Sequence, residues 1–283
     1  MRCLIDGDIL AYELGYGAEF TDEDSIDVIL PAETVLDNVD QRIREIEEEC
    51  WADEASVVYL TVSSWLVQEM EKTHFITPEP NFREALAITK PYKGTRKPDK
   101  PFHFYNIMQH LYYNYNSVVS DGCEADDEMA IEQTASEPLT TVICSRDKDL
   151  RMVKGMAFGW QCGKQPQFGP VEVDELGSIR LVVHPTYKEI KGEGLSFFYS
   201  QLLTGDAVDN IPGLPKCGPV KAMKILGELT TKEEMFSAVV EAYKEKMGEG
   251  WRDYLLEQGR LLWMITERDK EGNLIHWKIP DGT

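Results

Sequence analysis

Residues 121 to 150 read DGCEADDEMAIEQTASEPLTTVICSRDKDL and carry two groups of carboxylates, Glu124/Asp126/Asp127 and Asp147/Asp149. Two carboxylates ~4 Å apart at an effective dielectric near 20 repel by ~4 kcal/mol. Such a group stays ionised in a folded protein only where cations neutralise it. Hard oxygen ligands in this number suit Mg²⁺ or Mn²⁺ rather than zinc. Two such ions can activate a water and stabilise the leaving oxygen of a phosphodiester. An EF-hand calcium loop is excluded, since Arg151 stands where a third ligand belongs and the turn glycine is missing.

Those acids need elements to hold them. The apolar run Arg2 to Ile5 ends in Asp6-Gly7-Asp8, which reads as a strand with acids at its C-terminal end. In open α/β sheets that end is where ligands bind. Val35, Leu36, Val39, Ile43 and Ile46 recur at helical spacing, so the spacing predicts an amphipathic helix over Ala32 to Cys50. Val57 to Val62 is a second strand, and strand, helix, strand suggests a parallel βαβ unit. Ser117 to Val119 and Thr140 to Cys144 add strands, with a helix from Glu124 to Gln133 between them. Glu124 and Asp127 share a face of that helix, and Asp126 lies on its flank. Ala157 to Trp160 and Arg180 to His184 read as further strands. After Ser196 the chain turns helical.

Charge is distributed unevenly. Fifty acidic residues against 29 basic ones give a net charge of -21, which excludes non-specific coating of nucleic acid. Yet Lys90 to Lys100 holds five basic residues against Asp99, beside Tyr92, Phe102, Phe104 and Tyr105. A basic loop with aromatics is either a phosphate and base contact or a solvated surface. Phe197 to Leu203 leads through Gly205 to Pro219 into the helix Val220 to Leu226. Glycines such as Gly213 and Gly218 let a main chain approach phosphate, the next helix offers free N–H groups, and Lys216, Lys221 and Lys224 add positive charge. The alternative for that segment is an ordinary packing corner. Six cysteines without a CxxC pair read as reduced structural thiols of a cytosolic compartment, not a zinc site. No signal peptide and no membrane-spanning run is expected.

The motifs in this order resemble those of the 5′-to-3′ exonuclease and flap endonuclease family, particularly its compact phage members and the nuclease domain of bacterial DNA polymerase I. They are IDGD (Ile5 to Asp8), NFRE (Asn81 to Glu84), YKGTR (Tyr92 to Arg96), GCEADD (Gly122 to Asp127), SRDKDL (Ser145 to Leu150) and GDAVDNIPGLPKCGPVKA (Gly205 to Ala222). EQGRLL (Glu257 to Leu262) is a weaker echo. The resemblance implies an α/β, PIN-like core with a mostly parallel sheet over residues 1–190. A helix–hairpin–helix and helical C-terminal region follows over 191–283.

It further implies a metal-dependent nuclease acting on DNA 5′ ends, flaps and nicked duplexes, with RNA in RNA–DNA hybrids as a further substrate. It places metal ligands at Asp6, Glu124, Asp126, Asp127, Asp147, Asp149, Asp206 and Asp209, holding two Mg²⁺ or Mn²⁺ ions. Lys93 and Arg96 match residues that contact the scissile phosphate. Tyr92, Lys97, Gly213, Lys216, Gly218 and Lys221 fall in DNA-binding segments, with K⁺ as a ligand of the hairpin. A monomer in the cytoplasm, the host's for a phage protein, completes the expectation. One departure stands out: no acid follows the second strand at Thr61-Val62-Ser63-Ser64-Trp65, so that ligand is replaced by water, by Glu69 or by Glu71. Two rivals are a PIN-type ribonuclease on single-stranded RNA and an inactive structure-specific DNA-binding protein. The first leaves the hairpin with its paired acids unexplained, and the second predicts lost carboxylates.

Overall fold

In the computed structural model, residues 1–22, 25–63, 66–68, 79, 81–96 and 99–280 are described. They pack as two units. One comprises residues 1–80, 98–147 and 155–172, and the other 81–97, 148–154 and 173–283.

The first unit is built on a sheet of order β5-β4-β1-β6-β7-β8. Its strands are β1 (Arg2–Asp6), β4 (Val57–Leu60), β5 (Ser117–Val119), β6 (Thr141–Cys144), β7 (Gly155–Gly159) and, at the edge, β8 (Phe168–Val173). The pairs β5–β4, β4–β1, β1–β6 and β6–β7 are all parallel, as the βαβ spacing implied. Central strands β1, β4 and β6 are almost continuously apolar and buried, as strands covered on both faces must be. Helices α1 (Gly7–Gly17), α2 (Ala32–Glu49) and α4 (Phe104–Asn114) share one core with Cys3, Ile5, Val58 and Val142. Val35, Val39, Ile43 and Ile46 are buried, as the periodicity of α2 required. Helix α5 (Ala125–Ala135) packs along β1, β4 and β6.

A small hairpin, β2 (Glu19–Thr21) with β3 (Asp27–Ile29), has no counterpart in the pattern reading. Its strands are three residues long and leave Phe20 and Ile29 exposed, so no buried face marks them. Cys3, Cys50 and Cys144, far apart in sequence, converge with their sulfur atoms within 4.8 Å of one another. All three are fully buried, and the Sγ atoms of Cys50 and Cys144 lie 3.7 Å apart. Among the described residues they are one ligand short of the four that structural zinc takes, and they fit as packed thiols.

The second unit holds the hairpin β9 (Ile179–Val183)–β10 (Lys188–Gly192) and helices α3 (Phe82–Leu86), α6 (Gly194–Thr204), α7 (Pro219–Leu226), α8 (Lys232–Met247) and α9 (Trp251–Leu262). Helix α6 is buried from Ser196 to Leu203 and packs on α7, α8, α9 and the 3₁₀ turn Asp149–Met152. Helix α3 packs on α9, with the Arg83 side chain buried between. Among the described residues, no helix is long and apolar enough to cross a membrane. Glu69, Glu71 and Lys97, and most of Trp65 to Pro80, lie outside the described residues.

Candidate active site

The first group of acids sits at the C-terminal edge of the parallel sheet. Asp6 ends β1 and caps α1, accepting from the Ile9 backbone N–H at 3.0 Å and the Ser145 hydroxyl at 2.7 Å. Ser145 follows β6 and also receives the Asp147 backbone N–H at 2.9 Å. One serine thus ties the ends of two adjacent strands. Asp6 is only 2 % exposed. Burial first, then the charge of Asp8, with Asp147 adding to it, pushes its carboxyl up to about 7, despite the opposing hydrogen bonds from Ser145 and Ile9.

Asp8 is the residue the sequence reading left unassigned. Its carboxylate accepts from the Thr61 backbone N–H at 3.1 and 3.2 Å, at the C-terminal end of β4. That is where the expected acid is missing from Thr61 to Trp65. The β1–α1 turn reaches across to supply one, because a Cβ on Gly7 would stand 2.5 Å from the Leu60 side chain and 2.9 Å from the Tyr59 carbonyl. The signal was present in the IDGD run, but reading it required knowing that β1 and β4 are neighbours.

Glu124 and Asp127 form a reciprocal capping box at the start of α5, with the Glu124 backbone N–H donating to Asp127 Oδ2 at 3.1 Å. Both are buried, while Asp126 is partly exposed on the flank. The Thr61 hydroxyl receives the Ala125 backbone N–H at 3.0 Å, so the end of β4 also fixes the start of this helix.

The second group lies in the other unit. Asp149 opens the 3₁₀ turn and accepts from Gln201 Nε2 of α6 at 2.6 Å. Lys148 donates to Asp149 at 3.1 Å and also to Asp206. Burial opposes the charge of Lys148, yet Asp149 and Asp206 outweigh it and hold the ammonium's pKa well above its usual range. Asp206 behaves reciprocally: burial alone would raise it, but Lys148 and the Val208 backbone N–H keep it below the usual carboxylate range. Lys148, inside SRDKDL, has no local signal for this role, since its partner Asp206 lies 58 residues along the chain.

The segment from Asp206 to Ile211 closes on itself, each end donating its backbone N–H to the other's carbonyl at 2.8 Å. The basic loop docks on it. Asp209 accepts from Arg96 at 2.6 Å and from the Tyr92 hydroxyl at 3.1 Å, and its carbonyl receives the Lys93 backbone N–H at 2.9 Å. Asn210 donates to the Pro91 carbonyl at 2.9 Å. Sequence reading placed Asp209 with the metal ligands and Arg96 with the phosphate contacts; the structure pairs the two. Next comes the hairpin, where Gly213 lies at φ +62° and a Cβ would stand 2.2 Å from the Gly205 nitrogen. Gly218 meets nothing within 4 Å and leads into Pro219, the first residue of α7. Lys216 and Lys221 are exposed beside it.

Among the described residues, the cysteine trio is the one set of three candidate ligands whose donor atoms all lie within 4.8 Å of one another. The carboxylate donors are nevertheless right for hard divalent cations. Asp6 carries a desolvated carboxyl among acids, and the ammonium of Lys148 already stands between Asp149 and Asp206 as a side-chain cation.

No family model matches the chain. It is 29% identical over 140 residues to DNA polymerase I of Rhizobium leguminosarum, a match covering 48% of this chain and 12% of that protein. The chain therefore aligns with about an eighth of that relative's length. Among solved structures, a T5 protein co-crystallised with metal ions overlaps 93% of this chain and 90% of its own, at 13% identity and a TM-score of 0.49. A bacteriophage T5 flap endonuclease in a pseudo-enzyme–product complex with DNA and metal ions overlaps 93% of this chain and 99% of its own, at 12% identity and a TM-score of 0.47. Likeness at that level carries neither activity nor substrate. In its motifs and in the polymerase I match, the chain resembles the 5′-to-3′ exonuclease and flap endonuclease family.

Proposed function

We propose that the protein is a divalent-metal-dependent 5′-to-3′ exonuclease and flap endonuclease, hydrolysing phosphodiesters at DNA 5′ ends, flaps and nicks in replication or repair. The observation that carries this reading is the desolvated Asp6 carboxyl among Asp8 and Asp147 at the edge of a parallel sheet, which calls for a cation of hard-ligand type. Asp6, Asp8, Glu124, Asp126, Asp127 and Asp147 would hold Mg²⁺ or Mn²⁺ in the first unit, and Asp149, Asp206 and Asp209 a second ion. Two ions together with K⁺ at the hairpin complete the proposed cofactors. When bound, the divalent ions supply Lewis-acid activation of water and charge neutralisation at phosphate.

The chain's own residues do the rest. Arg96 and Lys93 neutralise charge developing on the scissile phosphate, which requires Arg96 to exchange Asp209 for phosphate. Tyr92 and Lys97 meet the unpaired 5′ strand. Gly213, Lys216, Gly218 and Lys221 hold duplex backbone at the hairpin and at the N-terminus of α7. Ser145 fixes the orientation of Asp6. The catalytic part would run over 1–190 and the DNA-holding part over 191–283, as a cytoplasmic monomer that also accepts RNA–DNA hybrid.

The test is the double variant Asp127→Asn/Asp147→Asn. It should lose ~3 kcal/mol or more of transition-state stabilisation, roughly a 100-fold or greater fall in Mg²⁺-dependent cleavage, with an unchanged circular dichroism spectrum. Retained cleavage would overturn the assignment.

A further inference from the structure

Helix α9 carries the weak echo EQGRLL, and nothing in the proposed chemistry uses it. Its side chains nevertheless reach both DNA-contacting segments of the second unit. Glu257 collects three donors from the stretch just before the basic loop. Its Oε1 accepts from the backbone N–H groups of Ile88 at 2.8 Å and Thr89 at 2.6 Å, and its Oε2 accepts from the Thr89 hydroxyl at 2.5 Å. Arg83, at the other end of that stretch, donates to the carbonyls of Leu261 at 3.1 Å and Trp263 at 2.7 Å, where α9 ends. Residues 83 to 89 are therefore fastened to α9 at both ends.

Gln258 and Tyr254 serve the other segment. They are four residues apart and so share a helix face. Gln258 Oε1 accepts from the Gly213 backbone N–H at 3.0 Å, and the Tyr254 hydroxyl donates to the Gly213 carbonyl at 2.9 Å. Both backbone polar groups of Gly213, a hairpin glycine at positive φ, are thus claimed by α9. Gln258 is fully buried, and among the described residues its Nε2 has no hydrogen-bond partner. A buried amide with an unsatisfied N–H is a poor choice for core stability; leucine would fill the same space. Its place is explained by the turn it holds.

We propose that α9 is the positioning element of the nuclease and that it sets the two DNA contacts separately. Glu257 places the basic segment, and Gln258 with Tyr254 places the hairpin turn. This rests on the nuclease reading given above. Because Lys93 and Arg96 act on the scissile phosphate and the hairpin acts on bound duplex, neighbouring residues of one helix have different kinetic signatures.

The experiment measures single-turnover cleavage of a 5′-flap duplex with Mg²⁺, over a range of enzyme concentrations, together with melting temperature. Glu257→Ala should lower the maximal rate roughly 10- to 100-fold, as misplacement of a reacting group by about 1 Å does, with half-saturation within about twofold. Glu257→Gln should recover most of that loss, since its oxygen can accept from the Ile88 and Thr89 N–H groups while its amide donates to the Thr89 hydroxyl. Gln258→Leu should weaken half-saturation roughly tenfold and leave the maximal rate within about twofold. If Glu257→Ala does not fold, Thr89→Ala, which removes one bond from the loop side, should still lower the rate alone.

A merely structural helix would move rate, half-saturation and melting temperature together in every variant, or move none of them. Either result overturns the proposal. A wild-type protein that does not cleave with Mg²⁺ overturns the nuclease reading beneath it, whereas cleavage without the split defeats this inference alone.

Discussion

The two groups of acids are held by different means. Asp6 rests on neutral donors, the Ser145 hydroxyl and the Ile9 N–H, and the charges that bear on it most are those of Asp8 and Asp147. Asp206 and Asp209 rest on cations, Lys148 and Arg96. Burial acts on Asp6 and Asp206 alike, yet the carboxyl of Asp6 rises to about 7 while that of Asp206 falls below its usual value. At Asp6, burial and neighbouring carboxylates leave the charged form disfavoured. The second group is internally compensated, so a divalent ion or a phosphate there must displace a lysine or an arginine.

That contrast can be broken by substitution in chelator. At pH 8 the folded protein bears the cost of ionising Asp6, so Asp6→Asn should stabilise the ion-free protein by ~2–4 kcal/mol in urea melts, and hardly at about pH 3, below both the folded and the unfolded carboxyl values. Destabilisation at pH 8 would show that Asp6 is already compensated. Asp206→Asn should do the reverse and cost ~1–3 kcal/mol at pH 8, discounted because Lys148 is half exposed. A neutral result would remove Lys148 as a counter-ion.

The signs with pH follow from linkage. A raised carboxyl such as Asp6 binds its proton more tightly when folded, so stability drains away as pH climbs from ~4 through 7. A depressed one such as Asp206 contributes stability above the ordinary carboxylate range and loses it as pH falls through the folded value. Wild-type protein in chelator should therefore lose stability between pH 5 and 8, and divalent ion should restore it. Equal slopes with and without the ion would contradict the assignment. The smallest effect concerns Asp8→Asn, which keeps an acceptor for the Thr61 N–H and removes only charge. It should move the midpoint of that loss downward by ~0.5–1 pH unit. An unmoved midpoint would mean that Asp8 does not share the Asp6 site.

Much of this was legible in the chain. Apolar runs ending in acids placed Asp6 and Asp147 at strand ends, and the period of Val35, Val39, Ile43 and Ile46 gave α2 and its buried face. Features that depend on pairing across the fold were hidden. Asp8 completes the end of β4 only because β1 and β4 are parallel neighbours in register from Leu4 with Val57. Lys148 becomes a counter-ion only when residue 206 arrives beside it. The three cysteines look scattered because their elements are separated by about half the chain. The grip of Glu257 on Thr89 spans 168 residues, beyond any local pattern.

The most direct test is digestion of 5′-labelled flap, nicked-duplex, single-stranded and RNA–DNA substrates with Mg²⁺ and with chelator. The expected result is short products released from the 5′ ends of flap and nicked duplex with Mg²⁺ and none with chelator. Cleavage that persists in chelator, or that is confined to single-stranded RNA, would contradict it.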